Sequence, residues 1–178
     1  MKESIDYIIE NIRKTLEDDV AGTDEFVNMI ISAPRIFIYG VGRSGLIAKA
    51  FAIRLVQMGL EVYFVGETVT PIVEDGHLVI IVSHTGNTMS CAQTANIVRR
   101  VGAKVIGITS NDNSKLASAS NLVILIKPKK DGERKRLAPL GTLFEDAALI
   151  YLDSIVAQIM DKLGQSEGSM RKRHAIWV

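Results

Sequence analysis

The stretch HLVIIVSHTGNT, residues 77–88, runs from unbroken apolar side chains straight into hydroxyls, an amide and a glycine. A strand with one wet face alternates polar and apolar residues, whereas this one is apolar at successive positions and must be covered on both sides. That is the pattern of a parallel sheet between two layers of helices. Four more short apolar runs share it: RIFIYG (35–40), EVYFV (61–65), KVIGITS (104–110) and NLVILI (121–126). Longer segments of helical period separate them, opening near Ser44, Thr88 and Ser114. Upstream, Ile5, Ile8, Ile9, Ile12 and Leu16 mark one helix, and Thr23, Phe26, Val27, Ile30 and Ile31 a second that Pro34 closes. A last amphipathic helix is predicted over roughly 140–163, and GQSEGSMRKRHAIWV (164–178) has no clear period. Right-handed crossovers leave few strand orders. The expectation is α/β: a three-layer, flavodoxin-like α/β/α domain over residues 1–178, with a five-stranded parallel sheet of order 2-1-3-4-5.

Composition narrows the function. The 178 residues are 47% hydrophobic, enough for a substantial core. With 21 Lys and Arg against 20 Asp and Glu, no overall field selects nucleic acid or an anionic membrane as partner. The basic run KPKKDGERKR (127–136) has no interleaved aromatic residue on which a base could stack. It reads as a solvated loop, or as a rim that steers an anionic substrate. Cys91 is the sole cysteine, so no internal disulfide or multi-cysteine zinc site exists, and a reducing, cytoplasmic setting is expected. Three scattered histidines complete no metal set, so neither metal nor cofactor is expected. No uncharged run approaches about 18 residues, the usual minimum for a membrane span.

In the order 2-1-3-4-5 the chain reverses between strands 1 and 3, and ligands of such sheets bind outside the carboxyl ends of the strands at that point. The two turns that follow these strands are GVGRSG (40–45) and SHTGNT (83–88). The hydroxyls of Ser83, Thr85 and Thr88, with Asn87 and the free N–H groups of the next helix, surround an anion-sized space. Gly86 permits close backbone approach there. The plainer reading is a helix cap at Thr88 or Ser90. In the first turn, Ser44 is expected to cap its helix and face the ligand, with Arg43 supplying positive charge and Gly42 the turn. GVGRSG also matches a dinucleotide fingerprint weakly, with Glu67 as a candidate ribose acid.

These turns, together with Pro139-Leu140-Gly141-Thr142-Leu143-Phe144-Glu145 at the opening of the late helix, resemble the sugar isomerase (SIS) domain superfamily. Within it, the length and the ending Met170-Arg171-Lys172-Arg173-His174-Ala175 are similar to the 6-phospho-3-hexuloisomerases. The resemblance implies an enzyme that interconverts 3-hexulose 6-phosphate and fructose 6-phosphate through an enediol. It further implies a homotetramer with sites at subunit interfaces, no metal, and functional pairing with 3-hexulose-6-phosphate synthase. One position departs from the pattern: relatives commonly carry a small residue or serine where His84 stands. A non-catalytic phosphosugar-sensing module, or an isomerase of another phosphosugar such as arabinose 5-phosphate, would show the same phosphate loop.

Moving a carbonyl along a sugar requires a base beside the carbonyl carbon. Glu145 shares a helical stripe with Leu149, Leu152 and Val156, while Asp146 aligns with Asp153 on the expected wet face. Burial of Glu145 in apolar surroundings would raise its pKa toward the useful range, and the resemblance makes it the catalytic glutamate. His174 lies among Met170, Ile176 and Trp177, apolar residues that a free tail has no reason to expose together. By resemblance the tail covers an active site, its own or a neighbouring subunit's, where His174 assists ring opening or proton transfer. His77, at the opposite end of strand 3, reads as structural, and Cys91 as a small packed residue. The N-terminal helices, 2–33, carry surplus apolar face and are expected, with the tail, to join subunits.

Overall fold

The computed structural model describes residues 1–129 and 131–175. Two helices come first, α1 (Lys2–Thr15) and α2 (Thr23–Ser32). Strands and helices then alternate: β1 (Ile36–Gly40), α3 (Gly42–Gln57), β2 (Val62–Phe64), β3 (Leu78–Val82), α4 (Met89–Arg100), β4 (Lys104–Thr109), α5 (Lys115–Ala119) and β5 (Leu122–Leu125). Among the described residues three helices follow: α6 (Arg134–Leu137), α7 (Thr142–Lys162) and α8 (Glu167–Arg171). The five strands form one parallel sheet in the expected order 2-1-3-4-5.

Successive side chains of a strand point to opposite faces, and here both faces are dry. Ile36, Ile38, Leu78, Ile80, Val82, Ile106 and Ile108 pack with α2, α3 and α7, around Phe26, Phe51, Phe144 and Ile155. Phe37, Val79, Ile81 and Val105 face the other way, against Cys91, Ala95 and Val98 of α4 and Leu116 of α5. Cys91 is buried as a small core residue, and that burial pushes its thiol upward. The strand bounds differ from the expected ones by at most two residues. The short α6 falls inside the basic run read as a loop, and α8 inside the tail read as aperiodic.

β1 and β3 pair in register from Ile36 with Leu78 to Gly40 with Val82, so their carboxyl ends stand level. The turns 40–45 and 83–88 therefore emerge side by side at the crevice. Gly45 makes this geometry possible: a Cβ there would lie 2.5 Å from Gly40 O, so only glycine lets α3 start so close to β1. At the opposite end of β3, His77 Nδ1 accepts from Glu74 N–H at 2.9 Å and its ring packs on Phe37, a structural arrangement. Among the described residues no helix is long and apolar enough to cross a membrane.

Candidate functional site

Three segments distant in sequence meet at the crevice. From the first turn, Arg43 Nε donates to Glu145 Oε2 on the opening turn of α7, and Arg43 Nη2 reaches Asp146 Oδ1 at 3.5 Å. From the second, His84 stacks on Phe144 with ring centroids 4.9 Å apart. Glu145 has the burial its position in the stripe implies, at 7% exposure. Its surroundings nevertheless differ from expectation, because a guanidinium rather than apolar surface faces the carboxylate. Periodicity along α7 fixes which way the side chain points, but not what another segment brings to meet it. The pairing with Glu145 raises the Arg43 pKa above its usual value, so the cation persists at any ordinary pH. Asp146 is half-buried rather than wet, and burial pushes its carboxyl up against the opposing pull of Arg43.

The phosphate-binding candidates divide. Ser83 is 3% exposed, and its hydroxyl donates to Thr88 Oγ1 at 3.2 Å. Thr88 precedes α4 without making a side-chain cap, which leaves the plain capping reading unsupported there. Thr85 is exposed, and its hydroxyl accepts from Asn87 N–H at 3.3 Å. Asn87 turns partly away: its side-chain oxygen accepts from Lys115 N–H at 3.1 Å and so holds the start of α5. Gly86 has φ +65°, and a Cβ there would meet Ser114 Oγ at 2.0 Å. Ser44 does not cap α3: the helix begins at Gly42 with Val41 before it, which places Ser44 inside the first turn, buried beside the crevice. Gly45 serves close helix–strand packing, as the third glycine of a dinucleotide fingerprint also would, and Glu67 pairs with Lys49 Nζ at 2.8 Å on the surface.

A cavity of about 800 Å³ next to the crevice is lined both by members of the basic run read as a loop or steering rim and by Ser110 and Asn111, which the sequence reading did not single out. Ser110 and Asn111 follow β4, Lys127 and Lys129 follow β5, and Arg134 opens α6. His84 and Thr85 form the wall shared with SHTGNT, and Phe144 lies beneath. Ser110 and Asn111 could have been found by the rule that picked out the other turns, since they too follow a strand's carboxyl end. Among the described residues no group of three or more His, Cys, Asp and Glu side chains is placed to hold a metal ion.

The tail lies elsewhere. Arg173 Nη1 donates to Gln57 O at 3.2 Å, so the segment after α8 packs at the far end of α3. The 16 residues of α3 span about 24 Å, which separates exposed His174 from Arg43 of the same chain. The structure does not bring His174 to its own crevice. Ile176 and Trp177, expected to dock with it, lie outside the described residues.

A crevice at the switch point, flanked by hydroxyl-rich turns, is where ligands of such sheets bind. The SIS domain model matches residues 29–140, and the chain belongs to that family. Its relatives include 3-hexulose-6-phosphate isomerase of Methanocaldococcus jannaschii, 39% identical over 151 residues, which cover 85% of this chain and 81% of that one. The enzyme of the same name from Bacillus subtilis is 36% identical over 156 residues, covering 85% and 84%. Among solved structures, a Methanococcus jannaschii protein whose structure was taken to infer 3-hexulose-6-phosphate isomerase function superposes with TM-score 0.88 at 36% identity, covering 99% of both chains.

Proposed function

We propose that this protein interconverts 3-hexulose 6-phosphate and fructose 6-phosphate. The observation that carries the proposal is the convergence of GVGRSG, SHTGNT and the opening of α7 on one carboxylate, in a chain whose named relatives are isomerases of this substrate. The N–H groups opening α4, with Ser44, Ser83, Thr85 and Thr88, hold the phosphate. Gly42 and Gly86 let the backbone approach it, and Asn87 contributes its amide nitrogen. His84 lies beside the sugar. Glu145 takes the proton from C2, leaving an enediol, and returns it to C3. Arg43, which pairs with that carboxylate, offsets negative charge on the intermediate. None of these steps calls for a metal or cofactor.

His174 reaches the site from a neighbouring subunit, which requires an assembly. The apolar side chains Ile5 and Ile9 of α1, Leu46 and Ile53 of α3, and Ile150 of α7 are exposed in the single chain and supply the surface for a homotetramer. The single domain over 1–178 works in the cytoplasm, downstream of the synthase that makes its substrate.

The test is turnover. Protein stripped of metal is mixed with 3-hexulose 6-phosphate formed in place by a synthase, and fructose 6-phosphate is followed by coupled reduction of NADP. Turnover that vanishes in Glu145→Gln supports the reading. No turnover, with thermal stabilisation by the phosphosugar, would instead mean a sensing module or another sugar substrate.

A further inference from the structure

Interconversion of two ketoses moves two protons, one between adjacent carbons and one between their oxygens. Resting on the isomerase reading above, we infer that His84 moves the oxygen proton while Glu145 moves the carbon proton. As Glu145 takes the C2 proton, the imidazole gives a ring proton to O3. As Glu145 protonates C3, the ring takes up the proton of O2. Glu145 ends ionised and His84 ends with the protons it began with.

Three features place the imidazole for this work. His84 Nδ1 and Glu145 Oε1 lie 3.2 and 3.1 Å from one point, the position a Cβ on Gly141 would occupy. Any other residue at 141 would push between the two groups. The ring is also held flat on Phe144, the residue before Glu145, at an interplanar angle of 19°. Finally, the His84 carbonyl accepts from Thr109 Oγ1, Ser110 Oγ and Ser110 N–H, each at 3.0 Å, so the backbone that carries the ring is fixed. Base and imidazole thus share one gap at the crevice, and each is locked from behind.

The ring borders the cavity as well as the carboxylate. Arg43 of α3 and Asp146 of α7 lie beside Glu145, and Lys127, Lys129 and Arg134 line the cavity that His84 borders. Among the described residues cations predominate there, which favours the negative charge that develops on the reacting oxygens.

The experiment separates the two protons. In D₂O, deuterium uptake at C3 of fructose 6-phosphate reports the carbon step, while coupled turnover of 3-hexulose 6-phosphate reports the whole reaction. For His84→Gln, turnover is expected to fall by about 100-fold or more, and C3 exchange to fall less. In His84→Ala, free imidazole, for which the adjoining cavity leaves room, should restore part of the turnover. His84→Phe keeps the stack on Phe144 without ring nitrogens and should lose turnover as His84→Gln does, even where Gln disturbs folding. Wild-type turnover in His84→Gln or His84→Phe would overturn the inference while leaving the isomerase reading intact. Equal loss of exchange and turnover, without imidazole rescue, would overturn it in favour of a packing role. A wild-type protein that leaves 3-hexulose 6-phosphate unchanged would remove the isomerase reading and this inference together.

Discussion

Arg43 donates to Glu145 across the crevice and ties the turn after β1 to the first turn of α7, two segments 102 residues apart in the chain. The arginine side chain is 61% exposed and the carboxylate 10%, so water reaches the cation but hardly the acid. Arg43→Gln would leave the buried carboxylate with a neutral neighbour. Turnover should drop about 10- to 100-fold with little change in fold, in keeping with the loss of one charge-stabilising group. Arg43→Lys should recover only part, because an ammonium cannot copy the guanidinium's planar set of donors. Steady-state kinetics on folded variants would decide; unchanged kcat/KM in Arg43→Gln would remove the pair from the chemistry.

Asp146 gives a prediction for stability and pH. Burial raises its folded pKa, so the folded state holds that proton more tightly than the unfolded chain does. Its contribution is present below the unfolded value of roughly 3.9 and is lost as pH rises through the raised folded value. Asp146→Asn should therefore raise Tm at pH 7 and give no gain near pH 3. Thermal melts across that range check this, and a lower Tm at pH 7 would mean that attraction to Arg43 outweighs burial.

Tyr151 works at the alkaline end. Its hydroxyl lies 3.0 Å from Thr23 Oγ1, which itself donates to Val20 O, so Tyr151 is the donor in that pair. Burial pushes the phenol up to about 12. Stability from the neutral phenol is complete below roughly pH 10 and is lost as pH rises through about 12. Tyr151→Phe should cost about 1 kcal/mol at pH 7 and soften the alkaline loss. Urea unfolding at pH 7 and pH 11 would show both effects, and parallel losses in the two proteins would refute the assignment.

The sheet was readable because dry strands leave an unmistakable run of apolar residues, as in Leu78–Val82, and the strand order then placed the two turns. Glu145 was readable from the face it occupies on α7. The pairing with Arg43 was not, because nothing local relates residues so far apart. Pattern alone also misplaces Ser44: a serine near a helix start suggests a cap, whereas α3 begins at Gly42 with Val41 before it. The short α8 escaped notice because its capping box uses Ser169 where glutamate or glutamine is the usual signal.

The last prediction concerns the tail. Within one chain, Arg173 anchors the segment after α8 to Gln57, at the end of α3 remote from Glu145. If His174 serves chemistry, it must serve another subunit's crevice. Glu145→Gln and His174→Ala should each be nearly inactive alone. When the two are unfolded together and reassembled, some sites will combine an intact Glu145 from one chain with an intact His174 from another. Random pairing should make about a quarter of the sites complete, because each site draws two independent chains, and activity should return to that fraction. Activity that stays at the level of the separate variants, in mixtures shown by mass spectrometry to contain hybrids, would mean that His174 takes no part across an interface. Full activity in His174→Ala alone would remove the residue from catalysis altogether.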